Sequence, residues 1–345
     1  MTDKHPPRKI INYPISGDPK GGALYLYGDA NAKNVALLSA GFADDHAIFL
    51  PFASRLAVES STLVGVACLP GYDDREDKAW TEHKTSHPSG YSFPEMAATF
   101  REAAKALRSE SSHTSSKPKL TGIFHDWGVI PGAIWANKSL EDSPENAPDE
   151  LVYFDVLPDP HPETIVSESR GPKIALTEII AGIYYQLVLA FSFMIQRYVG
   201  NIFAVMSFTI GFLPLSIFPF IAPLCQIDMD VINAKQSTPS MDRILYMAYP
   251  YFNIWRLGIR KMKSFVKDQS ASLPKDLTRT PVLYLYGTEK NAQWHKRSAV
   301  KHLQRQSREK KSKSNAIAVE NAGHYLYIQK PDFCLECVKN FIKDK

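Results

Sequence analysis

Residues 122–128, Gly-Ile-Phe-His-Asp-Trp-Gly, join an apolar stretch to an acidic side chain and a glycine. The stretch Leu120–His125 predicts a β-strand, and Val129–Ala136 begins a predicted helix. A sharp strand-to-helix turn exposes one side chain above a sheet, and Gly128 allows the close backbone approach that such a turn needs. The segment therefore predicts a nucleophile elbow whose exposed side chain is the carboxylate of Asp126.

A carboxylate nucleophile suits one kind of chemistry. It attacks an sp³ carbon and forms an ester, which a histidine-activated water molecule then hydrolyses. It is unsuited to the acyl transfer that esterases perform. An Asp at a strand end is by itself more often a helix cap or a loop residue. The interpretation of Asp126 therefore depends on its partners.

The elements around the turn alternate between strand and helix, which predicts a parallel sheet with crossover helices. Gly28–Asn31 is interpreted as a hairpin turn between the first two predicted strands. The predicted strands are Ala23–Tyr27, Val35–Ser39, Leu63–Cys68, Leu120–His125, Leu151–Val156, Pro281–Tyr286 and Ala316–Glu320. The predicted helices are Ala43–Ser60, Phe93–Arg108, the helix that starts at Val129, Trp294–Lys311 and Pro331–Ile342.

The alternation stops between about residues 160 and 275, where the chain is strongly apolar. The simplest architecture is one α/β core, formed by residues 1–160 and 275–345, with an inserted helical cap at 161–274.

Several segments resemble the Asp-nucleophile branch of the α/β-hydrolase superfamily, which contains epoxide hydrolases and haloalkane dehalogenases. Residues 124–128, Phe-His-Asp-Trp-Gly, resemble its elbow. Ser-Ala-Gly-Phe at 39–42 resembles its His-Gly-Phe-Pro oxyanion loop, and residues 68–74 resemble its Pro-Gly-Tyr/Phe-Gly turn. Glu-Asn-Ala-Gly-His at 320–324 resembles the loop that bears the catalytic histidine. These segments cover the core but not the cap, and they imply an α/β-hydrolase fold: a mostly parallel sheet flanked by helices.

The resemblance also implies roles for individual residues. Asp126 is the nucleophile, His324 activates water, and the backbone N–H groups of Phe42 and Trp127 form the oxyanion hole. The Asn that often follows the oxyanion-loop glycine as a halide ligand is Phe42 here, which favours an epoxide over a haloalkane substrate.

The acid that orients His324 has two candidates, because the family places it after strand six or after strand seven. Asp155 fits the first position. Glu289 fits the second loosely, since the usual spacing falls on Lys290. Asp155 is slightly favoured.

Substrate contacts are expected from aromatic residues of the cap, whose tyrosines can donate to an epoxide oxygen. Tyr185 is also available for this role. In Ile-Trp-Arg at 254–256, tryptophan stands where the family's Trp-Tyr-Arg segment has tyrosine. The predicted substrate-binding residues are Tyr184, Tyr249, Tyr251 and Trp255.

Tyr198–Leu224 carries no charged residue and exceeds the roughly 20 residues that a membrane crossing requires. Pro214, Pro219 and Pro223 interrupt it. It is interpreted either as a buried cap helix beside an apolar pocket or as a hairpin that dips into a membrane, with Ile174–Ile195 as its other arm. Because strands on both sides of the cap must join one sheet, only zero or two crossings are compatible with the fold.

The remaining features limit the functional classes. A net charge of +4 is too small to indicate a nucleic-acid partner. The four cysteines indicate thiols in a reducing compartment, and MTDKHPPRKI lacks the apolar region of a signal peptide, so an intracellular location is expected. The expected function is a cofactor- and metal-independent hydrolase of an apolar small molecule, first of all an epoxide. The alternatives are a haloalkane dehalogenase and a catalytically silent, membrane-associated protein of the same fold.

Overall fold

The computed structural model describes residues 7–73, 79–112, 117–161, 163–164, 176–217, 240–256, 271–290 and 295–343. Within them, one sheet has the strand order β1-β2-β4-β3-β5-β6-β7-β8. β2 is antiparallel to β1 and β4, and every pairing from β4 to β8 is parallel. The strands are β1 Lys9–Ile15, β2 Asp18–Tyr27, β3 Asn34–Ser39, β4 Thr62–Ala67, β5 Lys119–His125, β6 Glu150–Phe154, β7 Val282–Gly287 and β8 Asn315–Val319.

Helices cover both faces of this sheet. Val35 and Leu37 of β3 belong to one apolar cluster, together with residues of α3 and α4, whereas Ala36 and Leu38 belong to a second cluster with residues of α1 and α11. Strands buried on both faces are typical of parallel sheets. The helices are α1 Leu50–Glu59, α2 Ala79–Ser86, α3 Phe93–Ser109, α4 Val129–Asp142, α5 Leu176–Tyr198, α6 Asn201–Ile217, α7 Met241–Met247, α8 Tyr249–Arg256, α9 Arg297–Arg308, α10 Leu326–Gln329 and α11 Pro331–Ile342.

The predicted mostly parallel sheet flanked by helices is confirmed, and several helix boundaries agree closely with the sequence. The N-terminal capping box of α3 is one reason, since the Ser92 side chain accepts from the backbone and Glu95 reaches back to the Ser92 N–H. The predicted helix Ala43–Ser60 starts later, at Leu50. It follows a short 3₁₀ turn, His46–Phe49, that Asp45 caps.

The predicted hairpin between the first two strands is wrong. β2 and β3 are not neighbours, because β4 lies between them. Gly28, with a φ of 90°, carries the chain past the start of β4 so closely that a Cβ there would lie 2.5 Å from the Thr62 carbonyl oxygen. Strand β1, which pairs antiparallel with β2, was not anticipated.

The strand that leads to the elbow carries a large side chain, Phe124, which is fully buried. Its ring lies over Gly132 of α4, where an added Cβ would be 2.6 Å from a ring carbon, and beside Gly122, where it would be 2.7 Å away. The two glycines therefore make the space that Phe124 occupies.

The described residues between β6 and β7 include the helices α5 to α8. α5 and α6 form a helical hairpin: the Tyr184 hydroxyl donates to the Gly211 carbonyl at 2.9 Å, and Gly200 occupies the turn with a φ of 127°. Most of the large apolar side chains exposed in the described residues belong to this hairpin. They are Ile180, Ile183, Leu187, Phe191, Tyr198, Val199, Ile202, Phe203, Met206, Ile210 and Leu213. Among the helices that the structure describes, none combines the length and apolarity needed to cross a bilayer.

Candidate active site

Asp126 lies directly after β5, at the first residue of a 3₁₀ turn that leads into α4. Its φ of 51° is in the left-handed region, which non-glycine residues rarely adopt. Strained backbone of this kind is concentrated at functional sites, because surrounding structure must hold it in place. The sequence-predicted elbow is therefore present in the backbone, with the Asp126 side chain at its apex.

The Asp126 carboxylate is held by backbone donors. The Phe42 N–H donates to Asp126 Oδ2 at 2.9 Å, and the Trp127 N–H is a second donor to the same carboxylate. A Cβ on Gly41 would lie 2.3 Å from both Asp126 Oδ2 and the Trp127 nitrogen, so only glycine permits this approach. Gly128 is also constrained, since a Cβ there would lie 2.9 Å from the Ser39 and Ala40 carbonyl oxygens.

Burial and neighbouring groups act on the pKa of Asp126 in opposite directions. Removal from water raises the pKa of the Asp126 carboxyl, while a protonated His324, the Trp127 N–H and the charge of Lys290 oppose that rise. The carboxylate is thus less solvated than a surface Asp and is held by donors that leave it in one orientation. Both properties favour nucleophilic attack.

His324 lies in the loop after β8, and its Nδ1 is 2.6 Å from Oδ2 of Asp155, which follows β6. Asp155 also has a positive φ, 69°, and its side chain is fully buried. A carboxylate at Nδ1 fixes the imidazole tautomer that leaves Nε2 as the basic nitrogen. The pair therefore has the geometry of a general base and its orienting acid.

Lys290 contacts the same carboxylate. Its ammonium forms an ion pair with Asp155 Oδ2 and lies 3.5 Å from His324 Nδ1. Burial alone would raise the pKa of Asp155, but the adjacent charges of Lys290 and His324, and the hydrogen bond from His324, hold it well below its ordinary value. Asp155 is accordingly ionised throughout the physiological range.

His125 stands beside His324 but is bound as a structural residue. Its ring is 4.5 Å from the His324 ring, its Nε2 is 3.1 Å from the His324 carbonyl oxygen, and burial lowers its pKa well below the ordinary value. His125, Asp155 and His324 are close enough to form a potential metal-binding cluster. However, the Lys290 ammonium already occupies the charge-neutralising position on Asp155, where a cation would be repelled.

Two tyrosines from helices between β6 and β7 lie near Asp126 and the backbone donors that hold it. The Tyr251 ring of α8 is 5.0 Å from the Trp127 ring and 5.2 Å from the Phe42 ring, edge-on to both. Its hydroxyl is 3.1 Å from that of Tyr185 in α5. Burial, the neighbouring Tyr185 and the charge of Asp126 raise the pKa of Tyr251 well above its ordinary value, so the Tyr251 hydroxyl remains protonated.

Other predicted site residues lie elsewhere. Tyr184 is bonded within the α5–α6 hairpin, and the Tyr249 hydroxyl donates to the Pro70 carbonyl at 3.0 Å in a buried aromatic cluster. Trp255 packs partly buried against the core. Glu289 is exposed, and its backbone N–H donates to the Ala322 carbonyl, whereas His324 Nδ1 faces Asp155.

Of the neighbouring tyrosines on α5, Tyr185 contacts Tyr251 whereas Tyr184 does not, and helical periodicity distinguishes the two. Tyr185 lies four residues before Leu189 and eight before Phe193, which are both buried, so these three share the inward face of α5. Tyr184 shares its face with Val188, which lines the α5–α6 groove. No sequence pattern predicts the contact of Lys290 with Asp155, because an ammonium is not expected at the position where the resemblance implies an acid.

Comparison with solved structures identifies the fold as that of the α/β hydrolases, which confirms the predicted fold class. A protein assigned as an epoxide hydrolase from Klebsiella pneumoniae is 19% identical, has a TM-score of 0.55 and matches 96% of each chain. A haloalkane dehalogenase from Agrobacterium tumefaciens is 12% identical at a TM-score of 0.57, covering 96% of this chain and 95% of its own. An esterase from Thermogutta terrifontis is 14% identical at 0.55, covering 97% and 98%.

No family model matches the sequence, and no curated protein matches it. Because the identities to the solved structures are below 20%, the similarity establishes the fold. The chemistry must be argued from the residues.

Proposed function

We propose that the protein is a hydrolase that opens an apolar epoxide through an ester formed on Asp126. The observation that carries the proposal is the position of a carboxylate, in place of a hydroxyl, at the elbow, with backbone donors from Phe42 and Trp127 on it. The carbonyl carbon of the ester formed there would lie beside the same two donors. An esterase-type acyl transfer has no suitable nucleophile at this position.

In the first step a carboxylate oxygen of Asp126 attacks an epoxide carbon, and the bond from that carbon to the ring oxygen breaks. The oxygen leaves as an alkoxide, which takes a proton from Tyr251. Tyr185, whose hydroxyl is 3.1 Å away, stabilises the tyrosinate that forms.

In the second step His324 removes a proton from water, and the resulting hydroxide attacks the carbonyl carbon of the Asp126 ester. The oxyanion accepts hydrogen bonds from the N–H groups of Phe42 and Trp127. Asp155 stabilises the imidazolium. When the tetrahedral intermediate collapses, the leaving oxygen takes the proton held by His324 and the diol is released. The proton of the regenerated Asp126 carboxyl returns to the Tyr251 tyrosinate, and Asp126 retains one oxygen from water. The net reaction is epoxide plus water to diol, with no metal or organic cofactor.

A haloalkane dehalogenase is the second candidate, because it shares the ester mechanism and Trp127 offers an indole N–H beside the nucleophile. The hydroxyl pair of Tyr251 and Tyr185 favours the epoxide, since a leaving oxygen needs a proton and a leaving halide does not. Asp155 is proposed as the acid in either case, in preference to Glu289.

The direct test is a single turnover in H₂¹⁸O with a panel of aryl and alkyl epoxides and haloalkanes, followed by mass analysis of the peptide that contains Asp126. We expect ¹⁸O in Asp126 with epoxides. Label with haloalkanes alone would indicate the dehalogenase. Turnover with label only in the diol would exclude a carboxylate nucleophile, and the absence of turnover and label with all compounds would favour the catalytically silent alternative.

We further propose that residues 161–274 form the cap over the core and that its α5–α6 hairpin contacts a lipid surface. A helix that is apolar all round is normally buried, yet α6 exposes Ile202, Phe203, Met206 and Ile210. A groove of ≈ 580 Å³ between the two helices is lined almost wholly by apolar side chains, Val188 and Phe203 among them. Shallow insertion would cover the exposed apolar side chains of both helices with lipid and requires no membrane crossing. The remainder of the uncharged run, 218–224, lies outside the described residues.

Flotation of the full-length protein with phosphatidylcholine–phosphatidylserine vesicles in high salt tests this contact. Wild type should float, and Ile202→Glu/Ile210→Glu should remain at the bottom. Val58→Glu is the matched control, because Val58 is an isolated exposed apolar residue, 78% accessible, on α1. If wild type also stays at the bottom, the hairpin is only an apolar wall of the cap.

A further inference from the structure

Two side chains compete for one oxygen in the site. Asp155 Oδ2 accepts from His324 Nδ1 at 2.6 Å and also forms the ion pair with Lys290. The Lys290 ammonium lies 3.5 Å from His324 Nδ1, so the three groups form a triangle. Asp155 is fully buried, and the Lys290 side chain is only 11% exposed, so solvent screens these contacts weakly.

We propose that Lys290 is a positioning residue that keeps His324 unprotonated, and therefore active as a base, at a lower pH than the Asp155–His324 pair would alone. The inference rests on the proposed two-step hydrolysis and extends it to the pH range of the second step.

The physical basis is the balance of charge at His324. With Lys290 present, the carboxylate of Asp155 is already neutralised, and a new imidazolium meets an ammonium 3.5 Å away. A like charge within about 4–6 Å disfavours the charged form of a titratable group. The titratable or charged groups around the imidazole are Asp155 after β6, Lys290 after β7, His125 and Asp126 at the end of β5, and Tyr325 in its own loop.

Apart from Lys290, these neighbours of His324 are neutral or negatively charged. Burial lowers the pKa of His125 well below its ordinary value and raises that of Tyr325 well above it, so both are neutral. Asp126 and Asp155 are carboxylates, which would favour the imidazolium. Of the described residues that face this ring, Lys290 is the one whose charge opposes its protonation.

The effect of Lys290 on His324 predicts that the rates of ester hydrolysis in wild type and Lys290→Met depend differently on pH. A base that remains unprotonated at lower pH is also weaker, because proton affinity and basicity change together. Lys290→Met should therefore hydrolyse the Asp126 ester more slowly than wild type on the acid side and at least as fast at high pH. Formation of the ester, which needs no general base, should be affected little by pH in either protein.

The experiment uses the full chain with ¹³Cε1-labelled histidine. The His324 signal is assigned by its absence in His324→Gln and followed by NMR between pH 4 and pH 9. We expect the titration midpoint of His324 to lie at least about 1 pH unit higher in Lys290→Met than in wild type. Lys290→Arg, which retains the charge, should keep the wild-type midpoint.

Lys296→Met is the matched control, because it breaks another Lys–Asp pair, with Asp159, whose lysine is 62% exposed. It should leave the His324 midpoint unchanged. An unchanged or lower midpoint in Lys290→Met overturns the inference.

Single-turnover hydrolysis of the ester, measured across the same pH range, separates this inference from the proposed function. A midpoint that shifts although no variant forms an ester on Asp126 would refute the hydrolytic function and leave the role of Lys290 standing. Ester hydrolysis that is slower in Lys290→Met at every pH, without a shift of its acid limb, would show that Lys290 is merely structural.

Discussion

The carboxyl edge of the sheet and the α5–α6 hairpin differ in what they bury and what they expose. At the sheet edge, charged side chains are taken out of water, and each is held by specific partners, as Asp126 is by the Phe42 N–H and Asp155 by His324 and Lys290. In the hairpin, apolar side chains such as Ile202, 75% accessible, remain exposed.

This difference predicts that substitutions in the two regions affect different properties: the reaction at the sheet edge, and the surroundings of the protein at the hairpin. Buried charges are costly unless they are paired, so every substitution at the sheet edge should change a rate constant or a charge state. Exposed apolar surface has no such directional partner, and substitutions there should alter where the protein resides and how substrate arrives. Substitutions of increasing distance from the nucleophile can test this division.

The largest effect is expected for Asp126→Asn. The amide has nearly the same shape but is a poor nucleophile, so turnover should fall by at least about 10⁴-fold while the unfolding transition stays within a few degrees of wild type. Initial rates and thermal melts of freshly prepared protein measure both. Full activity before any deamidation would remove Asp126 from the mechanism.

His324→Gln should affect only the second step. Hydrolysis of the ester should slow by up to about 10⁴-fold, because water lacks its base, while attack by Asp126 proceeds. Intact-mass spectra with an epoxide should therefore show a covalent adduct whose mass equals that of protein plus substrate. If wild type turns over and the variant forms no adduct, the two-step scheme is incorrect.

The acid should matter somewhat less than the base. Asp155→Asn should lower ester hydrolysis by at least about 10²-fold, since the imidazole loses the carboxylate that orients it. The paired variant Glu289→Gln should change it less than about twofold, because Glu289 is exposed. The opposite ranking would move the acid to the loop after β7.

The smallest change in rate is expected at two neighbouring tyrosines of α5. Tyr185 faces Tyr251, and Tyr184 faces α6. Tyr185→Phe removes the hydroxyl partner of Tyr251 and should slow ester formation about tenfold, which corresponds to one hydrogen bond of about 1.4 kcal/mol. Tyr184→Phe, which loses a bond to Gly211 within the hairpin, should leave that rate within about twofold. Equal effects would contradict the assignment of inward and outward faces.

The sequence predicted the parallel part of the sheet well, because each strand is an apolar run that ends at a turn. It failed where pairing is non-local, because no local pattern reveals that β4 lies between β2 and β3 or that Gly28 passes close to Thr62. The carboxylate of Asp126 could be predicted because a local pattern marks its turn: an apolar strand, the acid, Gly128 and a helix. The preference for Tyr185 over Tyr184, and the contact of Lys290 with Asp155, depend on packing between segments far apart in sequence.

The packing of Phe124 against Gly122 and Gly132 limits which substitutions these three positions can accept. The ring fills a volume that Gly122 and Gly132 vacate, one from the strand beneath Asp126 and one from the helix that follows it. Enlarging either glycine alone meets the ring, and shrinking the ring alone leaves a void under the turn. The three positions thus share one fixed volume, and a homologue with a small residue at 124 should carry a larger one at 122 or 132.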